Sequence, residues 1–162
     1  MPYKRKTWAE KLEDPEGMPK TLPLKANFPC YRPLEKMGAK IGDSVVLAPP
    51  SEVNAIMRKV PRGKLITLAQ ICERLAAKHG AQYCCTLTTG IFITIAANAA
   101  EEMGSDVPFW RTIKNDGELN IKYPGGAEKQ KALLEKEGHT IIQRGQKNIR
   151  YFVRNFEKFL VK

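Results

Sequence analysis

Residues 107–138, VPFWRTIKNDGELNIKYPGGAEKQKALLEKEG, constrain the fold more than any other part of the chain. Asn115-Asp116-Gly117 is a turn triplet, because Asn and Asp bond their own backbone and Gly tolerates positive φ. Gly125-Gly126 makes a corner, and the amphipathic helix after it is closed by Gly138. The stretch therefore predicts a short strand, a turn, a second extended run, a corner and a helix. It opens on Pro108-Phe109-Trp110-Arg111, and function is expected to be decided at that tetrad.

Upstream, Ser51 is read as the cap of a helix with Glu52 in its first turn and Val53, Ile56, Met57 and Val60 as its buried stripe. Pro61-Arg62-Gly63-Lys64 forms a tight basic turn. Thr67 and Gln70 have capping-box spacing, and the helix they start carries Leu68, Ile71, Cys72, Leu75 and Ala76 on one face. Gly80 suits the position just past its end. A longer helix is expected over residues 83–103, ended by Gly104, and its first half is small and hydroxylated.

Two helices joined by a Gly-containing turn suit a helix-turn-helix, with Tyr83, Thr86, Thr88 and Thr89 facing phosphates or base edges. The alternative is two packed core helices. β-branched residues also leave residues 86–95 ambiguous between helix and strand.

Downstream, Ile141 and Ile142 on one arm and Ile149, Tyr151 and Val153 on the other flank Gly145, which predicts a β-hairpin with Arg144 and Lys147 at its tip. From His139 onward Arg144, Lys147, Arg150, Arg154, Lys158 and Lys162 face one acid, Glu157. Such a hairpin is either a wing along a phosphate backbone or a solvated end to a sheet. Residues 1–50 are punctuated by Pro15, Gly17, Pro19, Pro23, Pro29 and Pro33, and are read as an irregular arm packed on the domain at 51–162, with a helical turn or two at residues 7–12 and a short strand at residues 43–47.

Composition narrows the partner. The 162 residues carry 27 Lys+Arg against 17 Asp+Glu, a net charge of +10, and are 43% hydrophobic. The excess either marks a polyanion partner or only a basic, well-solvated surface. No apolar run reaches membrane-spanning length, and the basic N-terminus lacks the apolar segment of a signal peptide. Cys30, Cys72, Cys84 and Cys85 have neither CxxC spacing nor a matching His pair. They are read as reduced cytoplasmic thiols, with no metal or cofactor expected.

Residues 51–138 resemble the DNA-binding domain of O6-alkylguanine-DNA alkyltransferases and of their catalytically dead alkyltransferase-like relatives. Three motifs carry the resemblance. Val60-Pro61-Arg62-Gly63-Lys64 with Thr67 and Gln70 is similar to the entry into that family's helix-turn-helix. Pro108-Phe109-Trp110-Arg111 is similar to its Pro-Cys-His-Arg motif. Gly117 to Gly126, then Leu133-Leu134 and Glu137-Gly138, are similar to its pocket wall and closing helix.

The fold this implies is mainly α with small β elements: a winged-helix, helix-turn-helix domain with an irregular N-terminal arm and a basic C-terminal hairpin. The resemblance further implies minor-groove binding and a pocket for a guanine flipped out of duplex DNA. Arg62, Lys64, Tyr83, Thr86, Thr88, Thr89, Arg144 and Lys147 would contact the DNA. Phe109, Trp110, Arg111, Tyr123 and Glu137 would form the base pocket, unless Phe109 and Trp110 simply fill that pocket as core.

The departures fall on the chemistry. Phe109 stands at the cysteine position and Trp110 at the histidine position, and neither ring can accept an alkyl group. Glu137 loses its relay and is expected to bond near Trp110 or to a backbone amide. Leu68 replaces the family's Tyr, and no Arg lies between Ala81 and Met103 to fill a vacated base stack. The expected protein is a non-enzymatic monomer that binds double-stranded, alkylated DNA, flags it for a downstream repair protein and touches no membrane. Two alternatives stay open: an alkyltransferase using Cys84 or Cys85, or a protein-interaction module on a decayed scaffold.

Overall fold

The computed structural model describes residues 5–15 and 17–162. The first helix, α1 (Trp8–Glu13), is closed at its start by a capping box between Thr7 and Glu10. β1 (Lys20–Pro23) then pairs antiparallel with β2 (Ser44–Leu47), and α2 (Tyr31–Lys36) lies between them. The arm is thus more regular than its prolines suggested. β1 is short enough to fit between Pro19 and the ladder's end, where Pro23 faces Ser44.

The next helix, α3 (Pro50–Arg58), begins one residue before the expected cap. Pro50 takes the first helical position, where its missing N–H has no partner to lose, so Ser51 is inside the helix. β3 (Ile66–Thr67) leads directly into α4 (Leu68–Lys78), and the Thr67–Gln70 capping box forms as expected. Gly80, just past the end, has φ +64°.

The expected helix over residues 83–103 divides. Tyr83–Cys84 is β4, parallel to β2 in the register Val45 to Tyr83 and Val46 to Cys84. The helix proper, α5 (Thr86–Met103), starts behind Cys85 and ends at Gly104 in the left-handed conformation. Tyr83 therefore belongs to a strand, because the β2 backbone satisfies its peptide groups before a helix can.

Pro108 precedes a single 3-10 turn, Phe109–Arg111, which runs into β5 (Thr112–Ile113), parallel to β3. Gly117 makes the turn that follows: its φ is +89°, and a Cβ there would sit 2.5 Å from the Phe156 ring. α6 (Gly126–Lys136) follows the Gly125 corner. The closing hairpin pairs β6 (Ile141–Arg144) with β7 (Arg150–Val153), and Leu160 bridges back to Leu65.

α5 is the central element, packed against α1, α3 and α4. Its alanines at 96, 97 and 100 let Val53, Met57, Ile71 and Leu75 approach closely, and Phe92, Ile93, Phe109 and Tyr123 complete that cluster. A second cluster joins Leu24, Cys30, Leu34 and Val45 to Cys85, at the base of α5. A third places Leu65, Ile113, Leu119, Leu134 and Val153 under the hairpin. Among the described residues no helix is long and apolar enough to cross a membrane.

Candidate functional site

Three chain segments meet at Glu137, the residue after α6. Its carboxylate accepts from Trp110 Nε1 at 2.6 Å, from Arg111 Nε at 3.0 and 3.1 Å, from Arg111 Nη2 at 2.9 Å and from the Gly63 amide at 3.0 Å. Arg111 also donates to the Val60 carbonyl at 2.7 Å. Burial pushes the Glu137 carboxyl up, but Arg111, Gly63 and Trp110 together hold it below the usual carboxylate range. Glu137 thus binds the indole and a backbone amide, and ties the tetrad to the turn at residues 60–63.

The five residues expected to form a base pocket do not line one together. Phe109 is 4% exposed and lies in the main core, edge-to-face with both Trp110 at 5.4 Å and Tyr123 at 5.6 Å. Full burial of a Phe contributes about 1.5–3 kcal/mol, so the Phe109 ring serves as packing. Trp110, Arg111 and Glu137 are held in their own network behind it. Tyr123 is buried as well and donates its hydroxyl to the Thr112 carbonyl at 2.9 Å. Burial pushes the Tyr123 phenol up, so it stays protonated as that donor.

Tyr123 does reach the floor of an open cleft of about 520 Å3 on the outer side of this packing. Leu68, Gly90 and Ile93 form one wall, and the turn at 112–120 forms the other. Its rim is polar: Lys114, Asn115, Asn120 and Arg150 stand with Asp116 and Glu118. Arg150 donates to Glu118 at 2.6 and 3.0 Å, and this partner holds the Glu118 carboxyl below its usual range against burial.

A second cleft, of about 560 Å3, lies along the other side of α5 and shares Gly90, Lys114 and Asn120 with the first. Lys11, Lys114 and Lys122 line it, with no acid among its lining residues.

The residues expected to contact DNA separate into three places. Thr86 lines the second cleft. Thr88 is half-buried beside Cys85, with its hydroxyl 3.1 Å from the sulfur. Thr89 is buried, and its hydroxyl donates to the Cys85 carbonyl at 2.8 Å, closing the first turn of α5. Helix phase therefore removes Thr89 from the surface. Arg62 is exposed at the end of α6 and donates to the Lys136 carbonyl, and neither Arg62 nor Lys64 lines a cleft. Arg144 and Lys147 are exposed on the hairpin, with Arg144 4.8 Å over the Phe152 ring.

Sequence reasoning did not single out Lys11, Gly90, Ile91, Lys114, Asn120, Ile121 or Lys122, which line these clefts. The turn triplet marked a loop, but only the parallel pairing of β3 with β5 swings that loop against α5.

All four cysteines are free and buried. Burial pushes the Cys30 thiol up to about 12, with Cys85 beside it adding to the effect. A hydrogen bond from Cys72 lowers the Cys84 thiol, but Cys84 is 3% and Cys85 5% exposed.

A family model for the 6-O-methylguanine DNA methyltransferase DNA binding domain matches residues 49–139. Among solved structures, S. pombe Atl1 in complex with damaged DNA containing O6-carboxymethylguanine is 23% identical, with a TM-score of 0.50. The match covers 70% of this chain and 94% of that one. S. pombe ATL in complex with DNA is 22% identical over the same shares, with a TM-score of 0.48. No curated protein matches the chain. The likeness to Atl1 extends the shared helix-turn-helix fold beyond the matched domain.

Proposed function

Because the chain belongs to the 6-O-methylguanine DNA methyltransferase family through its DNA-binding domain, we propose that it is a non-enzymatic, alkyltransferase-like protein that binds duplex DNA and recognises alkylated guanine. The observation that carries this reading is the pairing of a filled chemical position with an open surface. Phe109 occupies the place of the thiol inside the core, while α5 is flanked by two clefts with Lys114 between them.

In this reading Thr86 and Thr88 on α5 contact the backbone, with Arg144 and Lys147 on the hairpin following an adjacent phosphate run. Arg62 and Lys64 contribute long-range attraction from the turn before β3. A base leaving the stack would enter the cleft over Tyr123, with Phe109, Trp110, Arg111 and Glu137 as its rigid backing. Residues 1–50 act as an annex and 51–162 as the binding domain, working in the cytoplasm as a monomer that hands the lesion to a repair partner. Alkyl transfer by Cys84 or Cys85 is disfavoured by their burial. S. pombe Atl1, whose fold this chain shares, is bound to damaged DNA in its own crystal structure.

The test is a gel-shift titration with plain and O6-methylguanine duplexes at two salt concentrations. Binding that weakens with salt and favours the lesion duplex is expected. No binding at low salt would discard the function, and equal affinity for both duplexes would discard lesion recognition alone.

A further inference from the structure

The most informative position for how α5 meets its partner is a residue with no side chain. Gly90 lies inside the first half of an 18-residue helix, where glycine is unfavourable relative to alanine. Internal packing does not require it: a Cβ built at Gly90 has nothing within 4 Å, and its φ is not in the left-handed region. Gly90 borders both clefts, so the helix backbone is bare where they join. A mid-helix glycine with open space before it is suited to close approach by a surface outside the molecule.

What stands around the bare backbone limits that surface. Leu87 and Ile91, one helical turn apart on one face, are 49% and 52% exposed, and Ile121 across the second cleft is 72% exposed. Three large aliphatic side chains therefore surround an uncovered strip of helix. The same cleft is lined by Lys11, Lys114 and Lys122 and by no acid, and Lys114 reaches out of it to Glu118 at 3.2 Å, a contact that a phosphate would replace. An apolar centre inside a cationic rim fits a polyanion whose interior is apolar, which describes stacked bases between phosphate backbones. Aliphatic wedges that part a base step are a known solution for shallow-groove binding.

We propose that Gly90 is the point of closest approach to duplex DNA, and that Leu87 and Ile91, with Ile121 opposite, wedge a base step apart while Lys11, Lys114 and Lys122 hold the flanking phosphates. The inference rests on the DNA-binding reading above and adds the element that the absence of an arginine from α5 left unfilled.

Gly90→Ala separates stability from binding. The variant should melt about 2–4 °C higher, because alanine favours the helix and meets no neighbour. Its affinity for an unmodified duplex should nevertheless fall roughly 10-fold. A duplex carrying 2-aminopurine reports the wedge directly: wild-type protein should raise its fluorescence, and the double variant Leu87→Ser/Ile91→Ser should not. Met37→Ser, at an exposed apolar residue that follows α2 and lines neither cleft, serves as the control and should leave both readouts unchanged.

Wild-type binding with unchanged Gly90→Ala affinity and no 2-aminopurine signal would overturn the wedge and leave DNA binding standing. A wild-type protein that ignores DNA at low salt would overturn both. Self-association abolished by the Leu87/Ile91 double variant, with DNA affinity intact, would make the patch a protein interface and overturn the wedge.

Discussion

Trp110 Nε1 donates to Glu137 Oε2 at 2.6 Å, in a site where the family motif has an imidazole. The indole supplies the N–H that the carboxylate needs, but it has no second nitrogen with which to accept a proton. Trp110 therefore anchors Glu137 without being able to relay a proton from it. Glu137→Ala leaves the Arg111 guanidinium buried without its anion, which should destabilise the protein by about 3–5 kcal/mol in urea denaturation. Trp110→Phe removes one charge-assisted bond and should cost less, about 1.5–3 kcal/mol. The reverse order would mean that the network is not centred on Glu137.

Phe109→Ala tests the contribution of the Phe109 ring to the core. With Phe109 edge-to-face against Trp110 and Tyr123, the truncation should cost about 3–5 kcal/mol. DNA affinity measured below the variant's melting temperature should change little, since Phe109 borders neither cleft. A nearly neutral stability change would show that the ring is not packed.

Lys114 and Lys122 both line the second cleft, and each should neutralise one phosphate. Lys114→Ala/Lys122→Ala should flatten the slope of log affinity against log salt by about 2 and weaken binding uniformly across sequences. An unchanged slope would place the phosphates elsewhere.

His139 is 5% exposed, lies 4.8 Å edge-on to Phe159, and has no hydrogen-bond partner for either ring nitrogen. Burial pushes its pKa below the ordinary histidine value, with Glu137 pulling weakly the other way. The folded state therefore holds His139 neutral, while the unfolded chain takes up a proton near pH 6.5. Stability should be fully present above that pH and decline as pH falls below it. His139→Leu should flatten the decline below about pH 6.5, and an unaltered profile would assign the acid sensitivity to other groups.

Local rules were readable in the sequence where a side chain meets its own backbone. Thr67 and Gln70 form the capping box, Gly80 and Gly104 end their helices, and Gly145 lies between the strands of the closing hairpin. Long-range pairing was not readable. Tyr83 and Cys84 look like the start of a helix until β2, nearly forty residues upstream, takes their backbone bonds. Within α5, packing against the core buries Thr89 and leaves Leu87 and Ile91 exposed. The site was legible through its frame, the tetrad and Glu137, but its open surface depends on which loop β5 brings to α5.

The β2–β4 ladder also determines where α5 points. The Cys85 amide donates to the Val46 carbonyl at 3.0 Å, so the residue that caps the helix is fixed to a strand of the N-terminal segment. The helix that faces outward thus takes its bearing from residues that never reach the outer surface. A substitution at Val45 or Val46 would act as a rudder, and its effect would emerge at Leu87 and Ile91 as a change in aim.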